Sequence, residues 1–247
     1  MRALRCLWAA LAMAAVLQGS AARSAETADL LLVLAADVSR SVDAQKFQLQ
    51  REGYAAAISD PRVIDAIRSG PNARIAICFV EWSGVGAQKT VIDWILIKDA
   101  ASARQFGDQL IEAPRSFADR TSISGGIEFA MTQLERSPYE AKRMTIDISG
   151  DGTNNSGRDV TLARDLALAK GVTINGLVIL SDRPLSWNPE HTNPPGGLAK
   201  YYQDNVIGGS GAFVMVAENF NSFGKAILNK LIAEIAYMPN RNTITLR

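Results

Sequence analysis

The sequence predicts an α/β domain: a doubly wound, mainly parallel six-stranded sheet with helices on both faces. Three observations carry this reading. Apolar runs of strand length alternate with stretches of helical period over about 210 residues, the pattern of a layered α/β fold. The first run, Leu30–Ala36 (LLLVLAA), is unbroken, as in a central strand covered on both faces. The second and third runs are joined only by the turn Ser83–Gly86. That makes them antiparallel neighbours and puts the third at an edge.

The elements follow in order. After the first strand, Val42–Ser59 has helical period, with Phe47, Tyr54 and Ile58 on one side. A short helix around Val63–Ile67 opens at Asp60-Pro61 and closes near Gly70, in keeping with proline at a helix start. Ala73–Trp82 reads as the second strand and Lys89–Ile97 as the alternating third. Helices are predicted at Ala101–Glu112 and Ser124–Arg136, then a strand at Arg143–Ser149 and a polar loop, Gly150–Gly157. Arg158–Lys170 reads as a helix with Leu162 and Leu166 facing inward and Gly171 past its end, where glycine terminates helices. Val172–Leu180 is the fifth strand, and Ser181–Gly197 a long loop holding four prolines and the single histidine, His191. A short helix at Ala199–Val206, a strand at Ala212–Ala217 and a helix at Phe220–Tyr237 complete the domain.

The N-terminus carries a different signal. Arg2 and Arg5 precede an apolar run, Leu7–Leu17, and small residues from Gly19 to Ala25 follow it. This is the order of a secretory signal, with cleavage expected near Ala22 to Ala25. The run is too short for a stable span, which needs about 20 apolar residues; the alternative is an uncleaved N-terminal anchor. The expected organisation is a signal segment over 1–25, one domain over 28–237 and a tail over 238–247, with a periplasmic or secreted location. Losing Arg2 and Arg5 turns 26 basic residues into 24, against 25 acidic ones, a net of −1. That balance offers no electrostatic case for a nucleic-acid partner. Cys6 lies in the signal, so the mature chain keeps only Cys78, inside an apolar run, and forms no internal disulfide; a small buried hydrophobe is the expected role.

In doubly wound sheets ligands bind beyond the carboxyl ends of the strands. Asp37-Val38-Ser39-Arg40-Ser41 stands directly after the first strand, Gly150-Asp151-Gly152 after the fourth, and Arg120–Gly126 (RTSISGG) before a helix. An oxygen-only set without His or Cys suits hard cations such as Mg²⁺, Mn²⁺ or Ca²⁺. Hydroxyls add no charge, so an ion held by two carboxylates stays electrophilic and welcomes one more acid from a partner. The competing reading is helix capping, which Ser and Asp favour: Ser39, Ser41 or Asp43 can cap the first helix, and Ser122 or Ser124 a later one.

These motifs resemble the metal-ion-dependent adhesion site of von Willebrand factor A (vWA) domains. The resemblance matches Asp37, Ser39 and Ser41 to the DxSxS motif, Thr121 to the single threonine and Asp151 to the second aspartate. It implies a sheet in the order 3-2-1-4-5-6 and a divalent ion held by those five residues. It also implies a protein partner that supplies an acidic residue. Gly150 departs from the pattern, since many members have Thr or Ser there. EWSG (81–84), YY (201–202), VIGGSGAF (206–213) and KLIAEIA (230–236) resemble an exported bacterial subgroup of uncharacterised function.

Two other functions remain open on the sequence alone. One is a Mg²⁺-dependent phosphohydrolase with Asp37 as nucleophile, as in haloacid-dehalogenase-like phosphatases; those want a second Asp at 39, where Ser39 stands. The other is a metal-free interaction domain. Catalytic residues of other kinds are not expected, because no nucleophile elbow, phosphate loop or His–Cys pair is present. His191 is expected to be exposed and apart from the site. Asn154 and Asn155 are read as turn residues, Glu81 and Asp147 as parts of local buried networks, and Ser83 as a candidate neighbour of the metal's waters.

Overall fold

The computed structural model describes residues 25–181, 186 and 188–236. The expected signal segment, save Ala25, and the tail 238–247 lie outside them. The elements run β1 (Glu26–Thr27), β2 (Leu31–Asp37), α1 (Ala44–Ile58), α2 (Pro61–Arg68), β3 (Ile75–Trp82), β4 (Gln88–Ile97), α3 (Ala100–Glu112) and α4 (Ile123–Glu135). They continue with β5 (Tyr139–Glu140), β6 (Met144–Gly150), α5 (Val160–Ala169), β7 (Thr173–Ile179), α6 (Pro189–Thr192), α7 (Leu198–Asn205), β8 (Val214–Ala217) and α8 (Phe223–Ala236).

Six strands form one sheet in the order β4-β3-β2-β6-β7-β8. Counted among themselves they run 3-2-1-4-5-6. Every neighbouring pair is parallel except β3–β4, whose short turn allows only an antiparallel hairpin. The two-residue strands β1 and β5 pair with each other outside this sheet; nothing in so short a pattern announces them.

The unbroken run of β2 has a simple cause. Alternate side chains point to opposite faces, and both faces are covered. Leu30, Leu32, Leu34 and Ala36 join the core under α1, α3 and α8. Leu31, Val33 and Ala35 join the core under α4, α5 and α7. All seven residues of β2 are buried, as its central place requires.

Helix α5 departs from the expected orientation. Leu162 and Leu166 are each 56% exposed, while Val160, Ala163 and Ala167 are buried. The stretch carries two apolar stripes, one of leucines and one mainly of alanines. The small stripe faces inward, where it lets α5 approach α4 and β7 closely. Gly171 ends the helix with φ +76°, a left-handed value that favours glycine.

Buried ions sit beneath one helical layer, that of α1, α3 and α8. The Arg51 guanidinium is 2.5 Å from Glu81 Oε1 and donates to Leu110 O, while the amide of Ser116 donates to Glu81 Oε2 (2.8 Å). Lys230, fully buried on α8, lies 2.8 Å from Asp147 Oδ1 and bonds Glu234. Asn175 donates to that glutamate (2.8 Å). Glu81 and Asp147 therefore belong to local networks that fasten α1 and α8 to the sheet.

Candidate metal centre

Register brings the site together. β2 and β6 are parallel neighbours, with Ala36 opposite Ser149, so Asp37 and Gly150 leave adjacent strands about 5 Å apart. Asp37, at the end of β2, is fully buried, and Asp151 is 1% exposed. The amide of Ser39 donates to Asp37 Oδ1 (2.7 Å). The hydroxyls of Ser39 and Ser41 lie 3.1 Å apart, and Ser41 Oγ donates to Asp151 Oδ1 (2.5 Å). Four of the five expected residues thus form one continuous polar chain.

Capping does not use them. Asp43 caps α1 by accepting from the amide of Lys46. Ser122 caps α4 by accepting from the amide of Gly125 (3.2 Å). The hydroxyls of Ser39, Ser41 and Thr121 are left for other work. Ser83, in contrast, accepts from the amides of Gly84 and Asp119 and serves the loops.

The DxSxS loop is held from outside. Arg115 Nη2 donates to the carbonyls of Val38 (2.6 Å) and Ser39 (2.9 Å), with its guanidinium over the Phe47 ring. The amide of Arg40 donates to Asp119 O (2.9 Å), and Gln50 donates to Asp37 O (3.3 Å).

Thr121 is anchored by Asn155 and His191, which corrects two expectations. The amide of Thr121 donates to Asn155 Oδ1 (3.0 Å), and the amide of Asn155 donates to Thr121 O (2.9 Å). Asn155 is therefore a clamp and not a simple turn residue. His191 is only 3% exposed, and its Nε2 lies 3.2 Å from Thr121 Oγ1. Its Nδ1 faces Thr153 Oγ1 (3.2 Å) and Asn155 Nδ2 (3.3 Å). Because Asn155 Oδ1 accepts from Thr121, its amide nitrogen is the group that donates to Nδ1, which leaves the ring proton on Nε2. The one-turn helix α6 carries His191 here, and Gly152 leaves the room: a Cβ there would collide with Nε2. The histidine is 70 residues from Thr121 in sequence, and no spacing rule links them.

The electrostatics are those of acids packed together. Burial, and then the charge of Asp151, push Asp37 up to about 7. Burial also raises Asp151, against the pull of the Ser41 hydrogen bond and of Lys46, whose ammonium stands 3.7 Å from Oδ2. Burial lowers the pKa of His191, against the opposing charge of Asp151. Asp37 Oδ2 and Asp151 Oδ2 are both buried without a hydrogen-bond partner. Buried carboxylate oxygens need a partner, and a divalent cation is one. Among the described residues no three His, Cys, Asp or Glu side chains gather as metal ligands; this donor set relies on hydroxyls. Beside Thr121 and Ser41 opens a cleft of about 390 Å³, walled in part by Arg40, Arg120, Asn188 and His191.

Several solved structures share this architecture. Proximal thread matrix protein 1 from the mussel byssus is 16% identical at a TM-score of 0.58, covering 85% of this chain and 47% of its own. A second structure of that protein, with zinc occupying its MIDAS motif, is 17% identical at 0.58, with coverages of 86% and 47%. A von Willebrand factor type A structure from Catenulispora acidiphila is 14% identical at 0.56, with coverages of 85% and 42%. The chain spans less than half the length of each. No curated protein matches it. The family model described as "Protein of unknown function (DUF1194)" matches residues 27–239. The chain thus belongs to the DUF1194 family, and its fold is that of the vWA domains.

Proposed function

We propose that this chain is an exported, metal-ion-dependent binding module, periplasmic or secreted. In this reading Asp37, Ser39, Ser41, Thr121 and Asp151 hold one Mg²⁺, or Mn²⁺ or Ca²⁺, and a partner protein completes the coordination with an acidic residue. The observation that carries it is the polar chain Asp37–Ser39–Ser41–Asp151, in which two buried carboxylate oxygens lack a hydrogen-bond partner. The cleft beside Thr121 supports an acidic partner, since two arginines, Arg40 and Arg120, line it against the one acid Asp119. The pilus adhesin SpaC from Lactobacillus rhamnosus GG has the same fold, at 13% identity and a TM-score of 0.58. It covers 85% of this chain and 31% of its own. A nucleophilic Asp37 finds no support: the side chain is fully buried and its Oδ1 is tied to the Ser39 amide.

Calorimetric titration with Mn²⁺ tests the reading. Asp37→Ala is expected to lose about a hundredfold or more in affinity, the upper end of what supporting residues alone contribute. Equal affinity in both proteins would reject the site. The pH dependence has a definite sign. Asp37 has its folded pKa above the unfolded one. Its contribution to metal-free stability is therefore present at low pH and is lost as pH rises from 3.8 to about 7. The cation competes with the same proton, so its affinity rises over that window. The gap between melting temperatures with and without Mn²⁺ is thus expected to widen from about pH 5 to about pH 8.

A further inference from the structure

Tyr202 is a fully buried phenol beneath the candidate centre, and its hydroxyl has no hydrogen-bond partner. Buried phenols usually find one, because leaving the group bare is costly. Tyr202 sits on α7, outside all three loops that carry the expected metal ligands. Its position is nonetheless well defined by Gly150. A Cβ built on Gly150 would stand 2.5 Å from Tyr202 Oη and 3.1 Å from Asp37 Oδ2. Both unpartnered oxygens therefore border the space that a side chain at 150 would fill. The negative charges of Asp37 and Asp151 are both close enough to oppose ionisation of Tyr202, after burial itself. The phenol is thus held as a neutral O–H donor beside two acids.

Gly150 carries no side chain, which leaves that space to the Tyr202 hydroxyl. We propose that Tyr202 is a positioning residue of the metal centre. Its hydroxyl fills the gap left at Gly150 and donates a hydrogen bond to the shell that Asp37 and Asp151 hold around the ion. This rests on the metal reading above and adds to it a donor from a fourth, distant segment. It also gives α7 a role at the centre, since the helix carries the phenol to the strand ends as α6 carries His191 to Thr121.

The test is a Mn²⁺ titration of the full chain and three variants, with metal-free melting temperatures measured in parallel. Tyr202→Phe keeps the ring and removes only the oxygen. It is expected to bind Mn²⁺ about tenfold more weakly while melting no lower than the parent without metal, since the deleted group has no protein partner. Gly150→Ser alone is expected to weaken binding, because its Cβ meets Tyr202 Oη. Combined with Tyr202→Phe, it is expected to recover most of the lost affinity, a non-additive pair that identifies one shared role. A simple packing role predicts no such rescue. Equal Mn²⁺ affinity in the parent and Tyr202→Phe, or loss without rescue in the double variant, overturns the assignment of Tyr202 and leaves the metal reading standing. No Mn²⁺ binding by the parent overturns both.

Discussion

Replacing Lys230 by methionine is expected to destabilise the domain by about 3–5 kcal/mol, the cost of leaving buried charges without their partner. Lys230 is fully buried, and Asp147 and Glu234 are its two acids. Burial pushes Asp147 up to about 7, Lys230 draws it down, and Glu234 opposes that. Without the ammonium, both acids must take up protons or separate. The methionine variant should therefore recover part of its loss as pH falls, because protonation removes the uncompensated charge. Urea unfolding of parent and variant at two pH values checks this. A loss below about 1 kcal/mol at neutral pH would mean that the triad contributes little net stability, as replacement of a whole ion pair by apolar groups often finds.

Asp151→Asn is expected to act in opposite directions on two measurements. The side chain is almost fully buried, and Ser41 Oγ and Lys46 Nζ face its two oxygens. The amide removes a negative charge that burial disfavours. It also relieves Asp37, whose proton affinity is raised partly by that charge. Metal-free stability should rise, and Mn²⁺ affinity should fall by about two orders of magnitude or more. A surface or structural aspartate would not produce this pair of signs. Thermal melts with and without Mn²⁺ read both at once. A variant that melts lower without metal, or binds as tightly as the parent, contradicts the proposed role of Asp151.

Much of this was legible in the sequence, for identifiable reasons. β2 was visible because a strand buried on both faces has no polar position to break the run. The β3–β4 hairpin was visible because a short glycine turn leaves one topology. Asp37, Ser39 and Ser41 are close together in sequence, and Asp151 follows a strand, so strand ends alone pointed to them. Thr121 stood out only through resemblance, since Ser122 and Ser124 beside it have the same chemistry. What escaped was long-range. His191, on α6 within the proline-rich loop, and Tyr202, on α7 just after it, reach the centre by a path that no periodicity encodes. Leu162 and Leu166 form an apolar stripe at helical spacing that looks like an inward face, whereas close packing of α5 selects Val160, Ala163 and Ala167.

Arg115 has a consequence for how an ion would enter. Its guanidinium grips two successive carbonyls of the DxSxS loop while resting on Phe47. The loop's shape is thus set by contacts that involve no metal ion. Little chain entropy is then lost on loading, and a receptor organised beforehand spends its binding energy on the guest instead of on folding itself. Capture should accordingly be fast and accompanied by a heat-capacity change too small for any coupled ordering of the loop.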